Sequence, residues 1–174
     1  MAIGRRETLI LGGVGLAAAA AGGLAGVLAL QSRSGAADLL AAHFQDLEGR
    51  PRRLLEWQGR ALLCNFWATW CAPCREEVPL LVAAKQQLPA NGPKIVGISI
   101  DSVDKVREFA VKYKINYQLL MADATAIGLL RRLGNSSGGL PYTVTLDRSG
   151  VLVRRHLGAL KEADLRQVLE GLLG

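Results

Sequence analysis

Hydrophobic positions divide the chain into two unlike parts. From Leu9 to Leu30 no residue is charged, and Arg5, Arg6 and Glu7 stand just before that run. As a helix its 22 residues would extend about 33 Å, enough to cross the hydrocarbon core of a bilayer. Beyond it, apolar residues recur in the short blocks of a globular domain. Residues 44–54 read as a hairpin turning at Glu48-Gly49, with Pro51 confining it to a sheet edge. Gln58-Gly59 turns the chain into the unbroken apolar run 61–67, the pattern of a strand buried on both faces.

Helical spacing takes over at Cys71. Val78, Leu81, Val82 and Leu88 form an apolar stripe that predicts a helix over 71–88, kinked at Pro79. Asn91-Gly92-Pro93 breaks it. A second central strand is expected over 94–100, then a helix capped by Asp101 or Ser102 and running to about Tyr113. Its core positions would be Val103, Val106, Phe109 and Ala110. A short strand at 117–121 and a short helix at 124–133 follow. The Asn/Ser/Gly stretch 134–139 is a loop leading to Pro141. Strands 142–146 and 151–156, joined around Arg148-Ser149-Gly150, read as a hairpin. A last helix over 161–173 places Leu165, Val168, Leu169 and Leu172 on one face. The alternation of strands and helices implies an α/β three-layer sandwich.

Length allows one domain of ordinary size plus the N-terminal extra: 174 residues in all. We divide it into a signal or membrane-anchor segment with a short linker, residues 1–37, and a folded domain, residues 38–174. The net charge is +6. Setting aside Arg5, Arg6, Arg33 and Glu7 leaves 18 basic and 14 acidic residues out of 21 and 15, an excess of +4. That excess is scattered in pairs such as Arg52-Arg53, Arg131-Arg132 and Arg154-Arg155. Nucleic-acid binding would need a basic stripe interleaved with exposed aromatics, so no nucleic-acid partner is expected. A mildly basic surface suits anionic lipid or an acidic protein.

Candidate chemistry concentrates in one place. Cys71-Ala72-Pro73-Cys74 sets two thiols three residues apart where an apolar strand hands over to a helix, which is the setting of a redox dithiol rather than of half a metal site. Unpaired N–H groups and the positive end of the helix dipole favour a thiolate at the helix start. Cys71 is therefore expected to be the more acidic and exposed thiol, with Cys74 placed to attack a mixed disulfide formed on it. The third cysteine, Cys64, falls within the apolar run and reads as a small buried hydrophobe. His43 and His156 lack ligand-like spacing. No metal site is expected, and no cofactor, since neither a glutathione nor a pyridine-nucleotide site is visible.

The stretch Asn65-Phe66-Trp67-Ala68-Thr69-Trp70-Cys71-Ala72-Pro73-Cys74-Arg75-Glu76-Glu77-Val78-Pro79 resembles the active-site segment of the membrane-anchored, extracytoplasmic thioredoxin-like reductases of the TlpA and ResA kind, relatives of the thioredoxins of cytochrome c maturation. The resemblance runs from about Phe44 to the C-terminus. Phe44-Gln45-Asp46-Leu47-Glu48-Gly49 matches that family's opening hairpin. Val96-Gly97-Ile98-Ser99-Ile100-Asp101 matches its next central strand, and Leu146-Asp147-Arg148-Ser149-Gly150 its late hairpin. It implies a thioredoxin-like fold with an N-terminal β-hairpin and a central insertion between residues 101 and 134.

The resemblance also implies roles. Thioredoxins keep a buried Asp six residues before the first cysteine to move a proton; here that position is Asn65, which takes none. The similar family places a Glu three residues after the second cysteine, here Glu77, one helical turn past Cys74. Glu77 is expected to have a pKa raised by burial and by the neighbouring thiolate. Gly139-Leu140-Pro141-Tyr142-Thr143 falls where the family keeps a cis-proline, which would expose the Leu140 backbone for strand-like pairing with substrate. Trp70 is expected as a partly exposed substrate wall, Trp67 as support beneath the turn, and Pro73 as a residue that tunes the dithiol.

Together these readings imply a thiol–disulfide oxidoreductase that reduces disulfides in client proteins, in cytochrome c maturation or copper-site assembly, and is recharged by a membrane electron-transfer protein. The arginine pair and the apolar run predict a cytoplasmic N-terminus and a domain on the periplasmic or extracytoplasmic side. That segment is expected either as a single uncleaved anchor in the cytoplasmic (inner) membrane or as a cleaved, twin-arginine-like signal, with small residues for a cut at 34–37. A peroxiredoxin on the same fold would need Thr and Pro where Ala68 and Cys64 stand. The alternative from another class is a copper metallochaperone using the same two thiolates, although no Met- or His-rich cluster adds ligands.

Overall fold

A computed structural model describes residues 35–123 and 125–173. The expected membrane or signal segment, and Ala124 at the expected start of one helix, lie outside the described residues. Among the described residues, no helix is long and apolar enough to cross a membrane.

The elements follow the hydrophobic pattern closely. They are helix α1 (35–41), strands β1 (Phe44–Gln45), β2 (Pro51–Arg52) and β3 (Leu62–Trp67), helix α2 (Ala72–Gln87), β4 (Lys94–Ser99), α3 (Val103–Lys112), β5 (Gln118–Met121), α4 (Ala126–Arg132), β6 (Tyr142–Leu146), β7 (Leu152–Leu157) and α5 (Glu162–Leu173). They build one seven-stranded sheet in the order β2-β1-β5-β4-β3-β6-β7. The strands β3, β4 and β5 run parallel, and β6 lies antiparallel to β3. Pro51, with no N–H to donate, starts the edge strand β2, and Gly49 turns the hairpin with φ +80°.

Alternation along β3 sorts the two cores. Leu62, Cys64 and Phe66 face a layer formed by α1 and α4, where Ala36, Leu39, Leu129 and Leu130 are buried. Leu63 and Trp67 face α2, α3 and α5, against Cys74, Val78, Leu81, Val106, Phe109, Leu165 and Val168. Helices thus cover both faces of the sheet, giving the three-layer thioredoxin-like α/β sandwich.

Several local expectations shift. The helix α2 starts one residue later and ends one residue earlier than expected, running from Ala72 to Gln87 with Pro79 inside it. Its buried face is Cys74, Glu77, Val78 and Leu81, whereas Val82 and Leu88 pack only partly against the core. Ser102 occupies the N-cap of α3 without a side-chain cap; the Asp101 carboxylate accepts the Ser102 N–H instead, at 2.7 Å. Two elements had no clear periodicity to announce them. One is the 3-10 turn Leu54–Trp57, which buries Leu54. The other is α1, held by Ala36 and Leu39 in the core and by an Asp38–Arg132 ion pair at 2.6 Å.

Gly97 on β4 shows how tightly the sheet fits beneath the cysteine helix. A Cβ there would lie 2.8 Å from Leu119 Cδ2 and 3.1 Å from both Trp67 Nε1 and Tyr117 Cε2. The two rings are wedged in the core, so the crowding cannot be relieved by a single flexible side chain. Gly97→Ala is expected to destabilise the folded protein by about 1–3 kcal/mol through overpacking. Denaturant midpoints of the oxidised forms check this, and an unchanged midpoint would show that the rings have room to move.

Candidate active site

The site forms where β3 ends and α2 begins. The chain leaves the sheet after Trp67, turns through Ala68-Thr69-Trp70, and starts the helix at Cys71. Cys71 is the N-cap: its Sγ accepts the Cys74 N–H at 3.3 Å, so the sulfur takes the place of the usual capping oxygen. Backbone bonds from Cys71 N to Ala68 O and from Arg75 N to Cys71 O, both 3.2 Å, lock the turn. Cys71 and Cys74 are joined in a disulfide. Cys71 is 6% exposed and Cys74 is fully buried, so an incoming thiolate has access to Cys71 first.

A second bond set ties the turn to the next strand. The Asp101 carboxylate, just past β4, accepts the Thr69 N–H at 3.2 Å and the Thr69 hydroxyl. Burial alone would raise this carboxyl, but the bonds from Thr69 and Ser102 outweigh it and hold it below the usual range. Beneath the turn, Trp67 is fully buried with its ring 5.1 Å from that of Phe109. Trp70 is 64% exposed beside the cysteines, and Pro73 is exposed between them.

Glu77 lies on the buried face of α2, only 1% exposed, while its neighbour Glu76 is exposed. Both of its oxygens are occupied. Oε1 accepts from Asn65 Nδ2 at 2.7 Å, and Oε2 accepts from the Leu160 N–H at 2.8 Å. Asn65 Nδ2 also donates to Thr143 Oγ1 at 3.0 Å. Burial pushes the Glu77 pKa up to about 7, against the Leu160 and Asn65 bonds that favour the ionised form. In the disulfide state the shift therefore arises from desolvation, without the thiolate the sequence suggested as a second cause. The buried Tyr117 phenol is pushed up as well, first by its own burial and then by the Glu77 charge.

The Leu140–Pro141 bond is cis. Pro141 directly precedes β6, whose Tyr142 pairs with Phe66 near the end of β3, and its carbonyl accepts the Gly158 N–H at 2.9 Å. Leu140 packs against the cluster that holds Cys71 and Cys74. Cys64 is unpaired and buried on the opposite face of β3, its thiol pushed up to about 12 by burial. It has no access to the pair.

Thr143, Leu160 and Asp101 were not legible as site residues. One signal was available for Thr143: Asn65 lies on the same face of β3 as Leu63 and Trp67, and an amide facing a core must find partners on neighbouring strands. In the observed register Asn65 stands directly opposite Thr143. The Leu160 bond comes from a backbone N–H in a loop, which no side-chain pattern encodes.

Comparison with known proteins agrees with this geometry. A sequence profile of the AhpC/TSA family matches residues 36–164. The chain is 28% identical over 128 residues to the thiol-disulfide oxidoreductase ResA of Geobacillus thermodenitrificans, covering 73% of this chain and 71% of that one. It is 30% identical over 128 residues to the thioredoxin-like protein YneN of Bacillus subtilis, covering 71% and 72%. A thioredoxin-family thiol:disulfide interchange protein from Chlorobium tepidum superposes with a TM-score of 0.67 at 28% identity, over 76% of this chain and 93% of that one.

Burial of Glu77 has a consequence for stability. A carboxyl whose pKa rises from 4.5 to about 7 on folding binds more protons in the folded state between those values. Its contribution is fully present below pH 4.5 and is lost as the pH rises through 7. Glu77→Gln removes that dependence. Relative to the parent, the oxidised variant is expected to gain about 3 kcal/mol between pH 4 and pH 8. Urea unfolding at both pH values measures it, and a difference that does not vary with pH would contradict the burial account.

Proposed function

The chain belongs to the AhpC/TSA family, and within it we propose that it is an extracytoplasmic protein-disulfide reductase whose working groups are Cys71, Cys74 and Glu77. Thiol–disulfide exchange is the chemistry of the cysteine pair. The observation that carries the finer reading is the buried Glu77 carboxyl, one turn beyond Cys74 and raised to about 7, where it suits proton exchange with a dithiol near neutral pH.

The cycle follows from exposure. Cys71, favoured as thiolate by the α2 N-terminus, attacks a client disulfide and displaces one client sulfur. Glu77 takes the proton of Cys74, and the Cys74 thiolate attacks the Cys71 sulfur of the mixed disulfide. The second client sulfur leaves, and the Cys71–Cys74 disulfide remains. Trp70 offers an apolar wall beside Cys71, the more accessible of the two sulfurs, Pro73 shapes the helix start, and Leu140 before cis-Pro141 offers backbone to an extended client segment.

Apocytochrome c or copper-site assembly proteins are the clients we favour, with a membrane electron-transfer protein as reductant. Residues 1–37 would hold the domain at the outer face of the cytoplasmic membrane. A relative on the same fold, 25% identical, is a secreted thiol-disulfide isomerase from Corynebacterium glutamicum, which supports an extracytoplasmic site. The peroxidase reading meets Ala68 and Cys64 where that chemistry requires Thr and Pro.

The reduction potential of the Cys71–Cys74 couple tests the direction of electron flow. A value near that of thioredoxin, about −270 mV, is expected, whereas one near the strong oxidants, about −120 mV, would make the protein an oxidase. In the same preparation, the reduced protein should cleave the disulfides of a test protein, Cys71→Ser should abolish this, and Cys74→Ser should trap the mixed disulfide. Tight Cu(I) binding by the reduced protein without disulfide cleavage would favour the copper carrier instead.

A further inference from the structure

Asn65 holds an acceptor that the observed arrangement leaves idle. Its Nδ2 donates twice, to Glu77 Oε1 at 2.7 Å and to Thr143 Oγ1 at 3.0 Å. Its Oδ1 is buried without a hydrogen-bond partner among the described residues. A carboxylate only accepts hydrogen bonds, so an ionised Glu77 requires the nitrogen side of the carboxamide to face it. Leu160 offers Oε2 a backbone N–H, a donor that cannot reverse.

Protonation of Glu77 changes what each neighbour must supply. The Leu160 N–H, a fixed donor, favours Oε2 as the accepting oxygen and so favours the new proton on Oε1. On the Oε1 lone pair that faces Asn65 it would meet the Asn65 N–H head-on, donor against donor. A half-turn of the Asn65 carboxamide removes that clash, putting the idle acceptor in place of the amide N–H donors. It brings Oδ1 to the place now held by Nδ2, where one oxygen with two lone pairs can accept both the Glu77 O–H and the Thr143 O–H. The Thr143 hydroxyl rotates freely enough to change from acceptor to donor. An Asp at position 65 would bring a second charge, and a fixed N–H would serve only the ionised form.

We propose that Asn65 is a positioning residue for Glu77: its carboxamide turns over as Glu77 gains and loses the dithiol proton, and Thr143 reverses its hydrogen bond with it. The inference rests on Glu77 as the proton acceptor for Cys74. In that step the Cys74 S–H gives its proton to the Glu77 carboxylate. The Cys74 thiolate then forms the S–S bond to Cys71 while the Cys71–client S–S bond breaks, its electron pair leaving on the client sulfur, which takes a proton from water. The dithiol is oxidised by two electrons and the client disulfide is reduced by two. Glu77 later returns its proton to solvent, and the carboxamide turns back.

Other titratable groups face the same space. Cys71 caps α2 and Cys74 lies on it, and the Tyr117 phenol, just before β5, feels the Glu77 charge. His156 is the partner of Thr143 across β6 and β7, with Nε2 3.4 Å from the Ala159 carbonyl. In the loop before α5, the charged residue adjoining Leu160 in sequence is the exposed Lys161. Among the described residues, Asn65 is the one side chain with a hydrogen bond to the Glu77 carboxylate.

The test is NMR of the full chain in the reduced form, labelled with 13C at Glu carboxyls and 15N at Asn side chains. Asn65→Leu and Glu77→Gln assign the two signals. As the pH rises through the Glu77 carbon transition, the Asn65 side-chain protons should shift with the same midpoint, moving downfield as they gain the charged acceptor. In Asn65→Leu the Glu77 midpoint should move upward, because the ionised form loses a charge-assisted bond. Resolution of a mixed disulfide on Cys71 should slow about tenfold or more. Asn65 protons that stay fixed while Glu77 titrates would overturn the turning carboxamide and leave Glu77 as the proton acceptor. A Glu77 carbon that does not titrate between pH 5 and 9 would overturn both, and it is read without reference to Asn65. Should Asn65→Leu fail to fold, Glu77→Gln and the labelled parent still decide the matter.

Discussion

Strand β3 is hydrogen-bonded on both sides, parallel to β4 and antiparallel to β6, and all six of its residues are buried. That double pairing fixes the height at which the chain leaves the sheet, and so where α2 starts. The two cysteines inherit their position from it. Cys71 emerges at the helix N-terminus, where unpaired N–H groups favour a thiolate, and Cys74 is carried one turn inward against the sheet. The Asp101–Thr69 bonds then pin the intervening turn to the end of β4, the strand next to β3. The geometry of the exchange reaction is a property of the sheet register as much as of the motif.

One of those six residues is polar, and it decides the electrostatics. Asn65 faces α2 from the middle of an otherwise apolar strand, and the Glu77 carboxyl comes down to meet it. Two effects compete there. Desolvation drives the carboxyl toward the neutral form, while the Leu160 and Asn65 donors pull it toward the charged one. Desolvation wins, but only far enough to leave the group near neutral pH. A carboxyl in that range both accepts and returns a proton under ordinary conditions. An exposed glutamate at the same helical position would stay ionised and do little for Cys74.

Much of this was legible in the residues. The alternation of strand and helix patterns located β3 to β7 to within a residue, because long buried runs such as 61–67 have few other places to go, and placed β1 and β2 within one hairpin. The Cys-x-x-Cys pair at a strand-to-helix junction carried its own chemistry. Other features were hidden for physical reasons. The 3-10 turn at Leu54–Trp57 is too short for periodicity to announce. The partners of Glu77 come from residues 65, 143 and 160, brought together only by tertiary register and by one backbone N–H.

Glu77 is the group proposed to move the proton of Cys74. The most direct measurement is the pH dependence of mixed-disulfide resolution, followed by stopped flow in the parent and in Glu77→Gln. The parent rate should show an inflection near pH 7, where Glu77 titrates. The variant should lack that inflection and run about 100-fold slower at neutral pH, the scale of a lost general base. Superimposable profiles for the two proteins would contradict the central claim, leaving the buried carboxyl a structural feature of α2 rather than a participant in the exchange.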